Sequence, residues 1–241
     1  MLATMPLSRR EAIRDRVESD TCGLPAGGAA ETGVTPSIVA AYLCTIAGGA
    51  VAACALLESG AWRQARMLLA FAVTVAAADL FTLLRPDLLW TPAAFAARES
   101  CTAALALAYA VEVARRLPPR PARAALRAVL AVTLVTAAYI AAGWNGAPRA
   151  GYRSVALLDA GAGAGLACVV AAALIHEVVL ADLTRRALLL MSTYYLAQAA
   201  SLAPFEWWWT AAHAAQLAAG ALYVLAMLAT ARSAWSWEGA R

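Results

Sequence analysis

Apolar residues run along this chain in seven long stretches separated by short polar connections. A hydrocarbon core about 30 Å thick needs roughly 20 apolar residues per helix, and most of the stretches reach that length. They lack the alternation of barrel strands, and a lipid-exposed backbone must satisfy its own hydrogen bonds. The pattern therefore predicts seven transmembrane α-helices, at about residues 37–58, 63–84, 92–116, 122–143, 154–181, 186–203 and 207–231.

The predicted fold class is an all-α polytopic bundle that occupies residues 36–232. Residues 1–35 contain Gly, Pro, Thr, Glu and Arg without a sustained apolar run, which predicts a flexible tail and not a cleaved signal peptide. Residues 233–241 form a short C-terminal tail. Pro36, Pro92 and Pro121 stand where helices are predicted to begin, as the fixed φ of proline favours.

The distribution of arginine predicts the orientation. The connections after helices 1, 3 and 5, together with the C-terminus, hold eleven arginines, against four near the other membrane surface and four in the N-terminal tail. Because positive charge is retained in the cytoplasm, we expect the C-terminus inside and the N-terminus outside a bacterial inner membrane.

Composition supports a lipid environment: 63% of residues are hydrophobic and 14% are charged. The net charge of +4 comes from arginines placed singly or in pairs at the ends of apolar runs, so no nucleic-acid partner is expected. The chain contains no lysine, which excludes a retinal Schiff base.

We expect neither a cofactor nor a metal. The five cysteines show no Cys-x-x-Cys spacing and are interpreted as small buried hydrophobic residues. His176 and His213 lie on helices predicted to run in the same direction, near opposite ends, so about 20 Å of depth should separate them. That separation argues against a shared haem.

Four predicted helices place an ionisable group about 8–9 Å from the outer surface: Asp79, Arg98, Asp159 and His213. Such groups are costly in a membrane unless they are paired or hydrated. The functional interpretation is an outward-facing polar pocket that binds a small ligand or protons, with the candidate residues Asp79, Arg98, Asp159, Gln198, Trp208, His213 and Gln216. The alternatives are a network that only fixes helix packing, or side chains that reach to the interface.

Two further patterns bear on function. The sequence contains no Gly-x-Ser-x-Gly elbow, His-Glu-x-x-His pair, Walker loop or dinucleotide fingerprint, so we expect no enzyme. The step from Gly161 to Gly165 allows close helix packing, within the bundle or in a homodimer.

Residues 205–228 begin with Phe205-Glu206-Trp207-Trp208-Trp209 and continue through His213 and Gln216. This segment resembles the last helix of bacterial membrane-associated sensor domains of the MASE type. The resemblance implies that Trp208, His213 and Gln216 belong to a sensory bundle. Such sensors usually continue into a cytoplasmic output domain, whereas this sequence ends about ten residues after the helix.

The sequence thus predicts a sensory or signal-relay subunit without an output domain of its own, which passes its signal to a protein partner. One alternative is a small transporter, channel or accessory subunit, in which Asp79, Arg98 and Glu112 line a polar path. A third is an intramembrane enzyme.

Overall fold

A computed structural model of the protein describes residues 36–85, 92–143, 148–202 and 209–236, and these residues form seven α-helices. A short 3₁₀ turn, Ala61–Arg63, follows the first helix. The helices are α1 Pro36–Glu58, α2 Arg66–Leu84, α3 Pro92–Ala114, α4 Pro119–Gly143, α5 Pro148–Ile175, α6 Asp182–Leu202 and α7 Trp209–Trp235. The all-α fold and the number of helices are confirmed. The predicted N-terminal tail lies outside the described residues.

Five helices are long and apolar enough to cross a membrane within the described ranges: α1, α2, α4, α5 and α7. The two others, α3 and α6, hold more charged and polar residues. Arg98, Glu99 and Glu112 lie on α3, and Asp182 begins α6. These two helices nevertheless lie inside the same bundle, where Glu99 of α3 and Ser192 of α6 are buried.

Six of the helices form a closed ring in the order α1, α2, α3, α5, α6, α7, with α7 returning to α1. The indole nitrogen of Trp235 helps to close this ring by donating a hydrogen bond to Glu58, at 3.1 Å. The fourth helix packs outside the ring against α5 and α3. Its Leu130, Leu134 and Tyr139 are about 60% exposed, at 58%, 60% and 66%. Apolar side chains so exposed on a helix that is long and apolar enough to cross a membrane match a surface that faces lipid.

Glycines allow α5 to approach three neighbours at once. A Cβ on Gly161 would lie 2.5 Å from Thr136 of α4, one on Gly163 would lie 2.9 Å from Leu196 of α6, and one on Gly165 would lie 2.6 Å from Leu107 of α3. Ser192 of α6 also donates a hydrogen bond to the backbone oxygen of Gly163, at 2.8 Å. This glycine segment therefore packs against helices within the bundle.

The end of α5 differs from the sequence prediction, which extended this helix to residue 181. The helix stops at Ile175 because Glu177 adopts a left-handed conformation with φ of 54°. The amide of Val178 bonds to the carbonyl of Ala173 at 2.8 Å, and that of Glu177 bonds to the carbonyl of Leu174 at 3.1 Å. This is a Schellman cap, here without the glycine that usually marks it in a sequence.

Other helix ends also differ from the sequence prediction. The fourth helix begins at Pro119, so Pro121 lies in its first turn, where a missing amide costs nothing. The sixth helix begins at Asp182, four residues before its predicted start, so Arg185 and Arg186 lie in its first two turns, where they pair with Asp182. The last helix continues to Trp235, beyond its predicted end at about residue 231.

The prediction of buried cysteines was wrong for Cys44, Cys54 and Cys101, which are exposed. Cysteine is apolar enough to lie on a lipid-facing helix surface, so an apolar run does not determine which face it occupies.

Candidate functional site

An ion pair joins α2 to α3 near one end of the bundle. The guanidinium of Arg98 lies 2.5 Å from Oδ1 of Asp79. The side chain of Asp79 is 1% exposed and that of Arg98 is 23% exposed, so the arginine reaches the accessible edge while the carboxylate is enclosed. The structure thus brings together two of the candidate site residues.

The first helix completes this pair from another side. The hydroxyl of Thr45 donates a hydrogen bond to Oδ2 of Asp79. The guanidinium carbon of Arg98 lies 5.8 Å from the ring centre of Tyr42, within the range of a cation–π contact. Three helices thus hold one pair of charges, which restricts how they can move relative to one another.

Two more carboxyl groups are buried close to this pair. Glu99 of α3 is 3% exposed, and its Oε1 lies 3.8 Å from Nε of Arg98. Asp159 of α5 is fully buried and lies within electrostatic reach of Glu99 and Arg98. Neither oxygen of Asp159 has a hydrogen-bond partner among the described residues. Asp79, Arg98, Glu99 and Asp159 are called the polar cluster below.

Aromatic side chains from α2, α6 and α7 pack beside the polar cluster. Tyr194 lies 5.0 Å from Tyr195 and 5.5 Å from Tyr223, measured between ring centres, and both pairs meet edge to face. Phe71 contacts Tyr195 and Tyr223 at 6.2 and 6.1 Å. The hydroxyls of Tyr195 and Tyr223 are buried without a hydrogen-bond partner in the described part of the chain. These polar atoms belong to an interior that is otherwise apolar.

Charges balance poorly in the polar cluster. With every group ionised, three carboxylates would face one guanidinium, an excess of two negative charges among these four residues. Burying an unpaired charge is costly, so the excess favours uptake of a proton or of another positive group. The arrangement can therefore bind positive charge in the interior of the bundle.

The other predicted site residues have different outcomes. Gln198 lies on α6, where it is half-buried. Trp208 lies outside the described residues, and so do the side chains of His213 and Gln216. Steps of three and four residues predict one interior stripe on α3, formed by Arg98, Thr102, Leu105, Tyr109 and Glu112. That stripe does face inward at Thr102 and Tyr109, which are 5% and 1% exposed.

Sequence reasoning missed Glu99, Thr45 and Tyr42. Glu99 follows Arg98 directly, so a single-stripe interpretation of α3 placed it on another face. It is buried because α2 and α5 cover different sides of that helix. The signal in the sequence that could have identified Glu99 is its place directly beside Arg98, a residue of opposite charge.

Glu112, once a candidate for the polar path, lies fourteen residues beyond Arg98, about 21 Å along the helix axis. Its carboxylate accepts hydrogen bonds from the amides of Arg66 and Met67, at 3.2 and 3.0 Å, and pairs with Arg116 at 2.8 Å. Arg116 also donates to the backbone oxygen of Gln64. Glu112 therefore ties α3 to the start of α2 at the opposite end of the bundle.

Comparison of the chain with protein-family models, curated proteins and solved structures found no match.

Proposed function

We propose that this protein is a membrane sensory or signal-relay subunit that binds protons or a small cationic ligand in the polar cluster. The observation that carries the proposal is the enclosure of three carboxyl groups around one arginine, at the junction of α1, α2, α3 and α5. Neutralising part of this charge changes how strongly the helices attract or repel one another. Such a change alters helix packing and can be transmitted to a protein partner.

The proposal includes a placement in the membrane. All seven helices cross a bacterial inner membrane, with the N-terminus outside and the C-terminus in the cytoplasm. Placing α3 and α6 across the membrane is supported by their position in the ring, where four long apolar helices, α1, α2, α5 and α7, accompany them. With this orientation the polar cluster lies toward the outer surface and the Glu112 contacts lie toward the cytoplasm.

Transport is the alternative that an experiment must separate from sensing. A polar path through Asp79, Arg98 and Glu112 has less support than a closed site, because Glu112 is engaged by α2 and Arg116. Purified protein in vesicles should show no proton or cation flux above that of empty vesicles. Flux that disappears in Asp79→Asn would assign transport and reject the sensory proposal.

A sensor without flux must signal to another protein. Co-purification from the native membrane with a kinase, cyclase or regulator would support the sensory function. The interaction should change between wild type and Arg98→Gln, because this substitution alters the charge of the cluster. The matched control is Arg186→Gln, whose arginine pairs with Asp182 on the surface of α6.

A further inference from the structure

Asp159 is the least compensated group in the polar cluster. Its side chain is fully buried, and both carboxyl oxygens lack a hydrogen-bond partner among the described residues. Asp79, by contrast, has Arg98 and Thr45 against its two oxygens. The same chemical group is therefore stabilised as an anion on α2 and left without donors on α5.

Among the residues that the structure describes, the groups around Asp159 do not supply a matching positive charge. From α3 it faces Glu99 and Arg98, whose guanidinium is already paired with Asp79. From α6 it faces Tyr194 and Tyr195, two neutral phenols. The fourth helix meets α5 at Thr136, and its nearest arginine along the chain is Arg127, nine residues or about 13 Å earlier.

We propose that Asp159 carries an exchangeable proton and that Glu99, across the contact between α3 and α5, is the charge that opposes its release. Release leaves the Asp159 carboxylate facing Glu99, and uptake restores the neutral carboxyl group. A proton suits this position because it needs no coordination shell, whereas a hard metal cation takes about six or more oxygen ligands. The proton would enter from the accessible edge at Arg98, whose side chain is 23% exposed.

The signalling role of this proton rests on the proposed function. With the proton bound, α3 and α5 pack without repulsion between their carboxyl groups. Without it, two like charges face each other in an interior of low dielectric constant, where their repulsion is far stronger than in water. The protonated and deprotonated forms of the bundle should then favour different spacings of these helices.

Infrared difference spectroscopy of the full chain in lipid nanodiscs tests the proton site directly. The C=O stretch of a protonated carboxyl group should be present at low pH and disappear reversibly as the pH rises. Asp159→Asn should remove that band, and Asp182→Asn, which changes an exposed carboxylate on α6, should leave it unchanged. Glu99→Gln should retain the band but shift its loss to lower pH, because the opposing charge is gone.

Absence of such a band in folded wild-type protein across the accessible pH range would overturn the proposal. A band that survives in Asp159→Asn, or that requires sodium ions to be absent, would also overturn it. If Asp159→Asn does not fold, the wild-type spectrum and the pH at which Glu99→Gln loses the band still test the proposal. A band that behaves as expected while the spacing of α3 and α5 stays constant would keep the proton site and reject the sensory function.

Discussion

Arg98 and Asp79 lie on different helices, yet a guanidinium nitrogen and a carboxylate oxygen are 2.5 Å apart inside the bundle. Thr45 binds the other oxygen of the same carboxylate. These contacts therefore link α1, α2 and α3 at the position where the chain also buries Glu99 and Asp159. Stability and charge response should depend on the same few side chains.

Arg98→Gln should destabilise the protein by about 3 kcal/mol, because breaking a buried ion pair leaves an uncompensated charge. We place the loss at the lower end of the usual range, since Asp79 can then take up a proton. Arg186→Gln should cost less than about 1 kcal/mol, because its pair with Asp182 is exposed. Reversible unfolding in mixed micelles measures both. Equal losses in the two variants would contradict a buried role for the Arg98 pair.

Glu112→Ala should destabilise the start of α2 by about 1–2 kcal/mol, since the amides of Arg66 and Met67 lose their acceptor. Hydrogen exchange at the Met67 amide should accelerate more than exchange in the middle of α2. Glu112→Gln retains one acceptor oxygen and should recover part of the protection. Unchanged exchange at Met67 in the alanine variant would show that this carboxylate is not a cap.

Neighbouring glycines on α1 should respond oppositely to alanine. A Cβ on Gly49 would lie 2.9 Å from the backbone oxygen of Ala72 and 3.0 Å from the hydroxyl of Tyr223, so Gly49→Ala should cost about 1–3 kcal/mol. A Cβ on Gly48 would meet only ordinary contacts at 3.6 Å, so Gly48→Ala should gain roughly 0.5–1 kcal/mol through helix propensity. Thermal unfolding in detergent compares the two variants. If Gly49→Ala were instead the more stable variant, α1 would have to be rotated about its own axis, with a different face against its neighbours.

Glu177→Gly should stabilise the protein by about 1 kcal/mol, because Glu177 holds a φ of 54° that costs an L side chain but not glycine. The side chain is exposed, so little packing is lost. Glu177→Ala keeps the unfavourable backbone conformation and should give no such gain. The midpoint of unfolding in a denaturing detergent distinguishes these outcomes, and a destabilised glycine variant would contradict the cap described for α5.

The number of helices, and the meeting of Arg98 with a carboxylate at a similar depth, could be predicted from sequence for physical reasons. Long apolar runs predict helices that are surrounded by lipid. Opposite charges at similar depths in neighbouring helices tend to pair, because an unpaired charge is costly there. Helix ends were less predictable. The stop at Ile175 depends on a left-handed residue that is not glycine, so it left no signal in the sequence.

Glu99 is buried although it lies off the stripe of α3 that contains Arg98. On an isolated helix, residues 98 and 99 point about 100° apart, and only one of them is expected to face a partner. In the bundle, α3 is covered from different sides by α2 and α5, so Glu99 is enclosed while Arg98, on the side of Asp79, stays partly accessible. The tertiary fold, and not the order along the chain, determines which helices are neighbours. The fourth helix, for example, lies outside the ring although it stands in the middle of the chain.

The most direct test of the central claim is the spacing of α3 and α5 as a function of pH. Spin labels on the exposed Cys101 and on Leu174→Cys, with the other cysteines replaced by alanine, report this distance in nanodiscs. The account predicts a distance distribution that changes reversibly with pH in the otherwise wild-type protein and not in Asp159→Asn. An identical distribution at every pH at which the protein stays folded would contradict it.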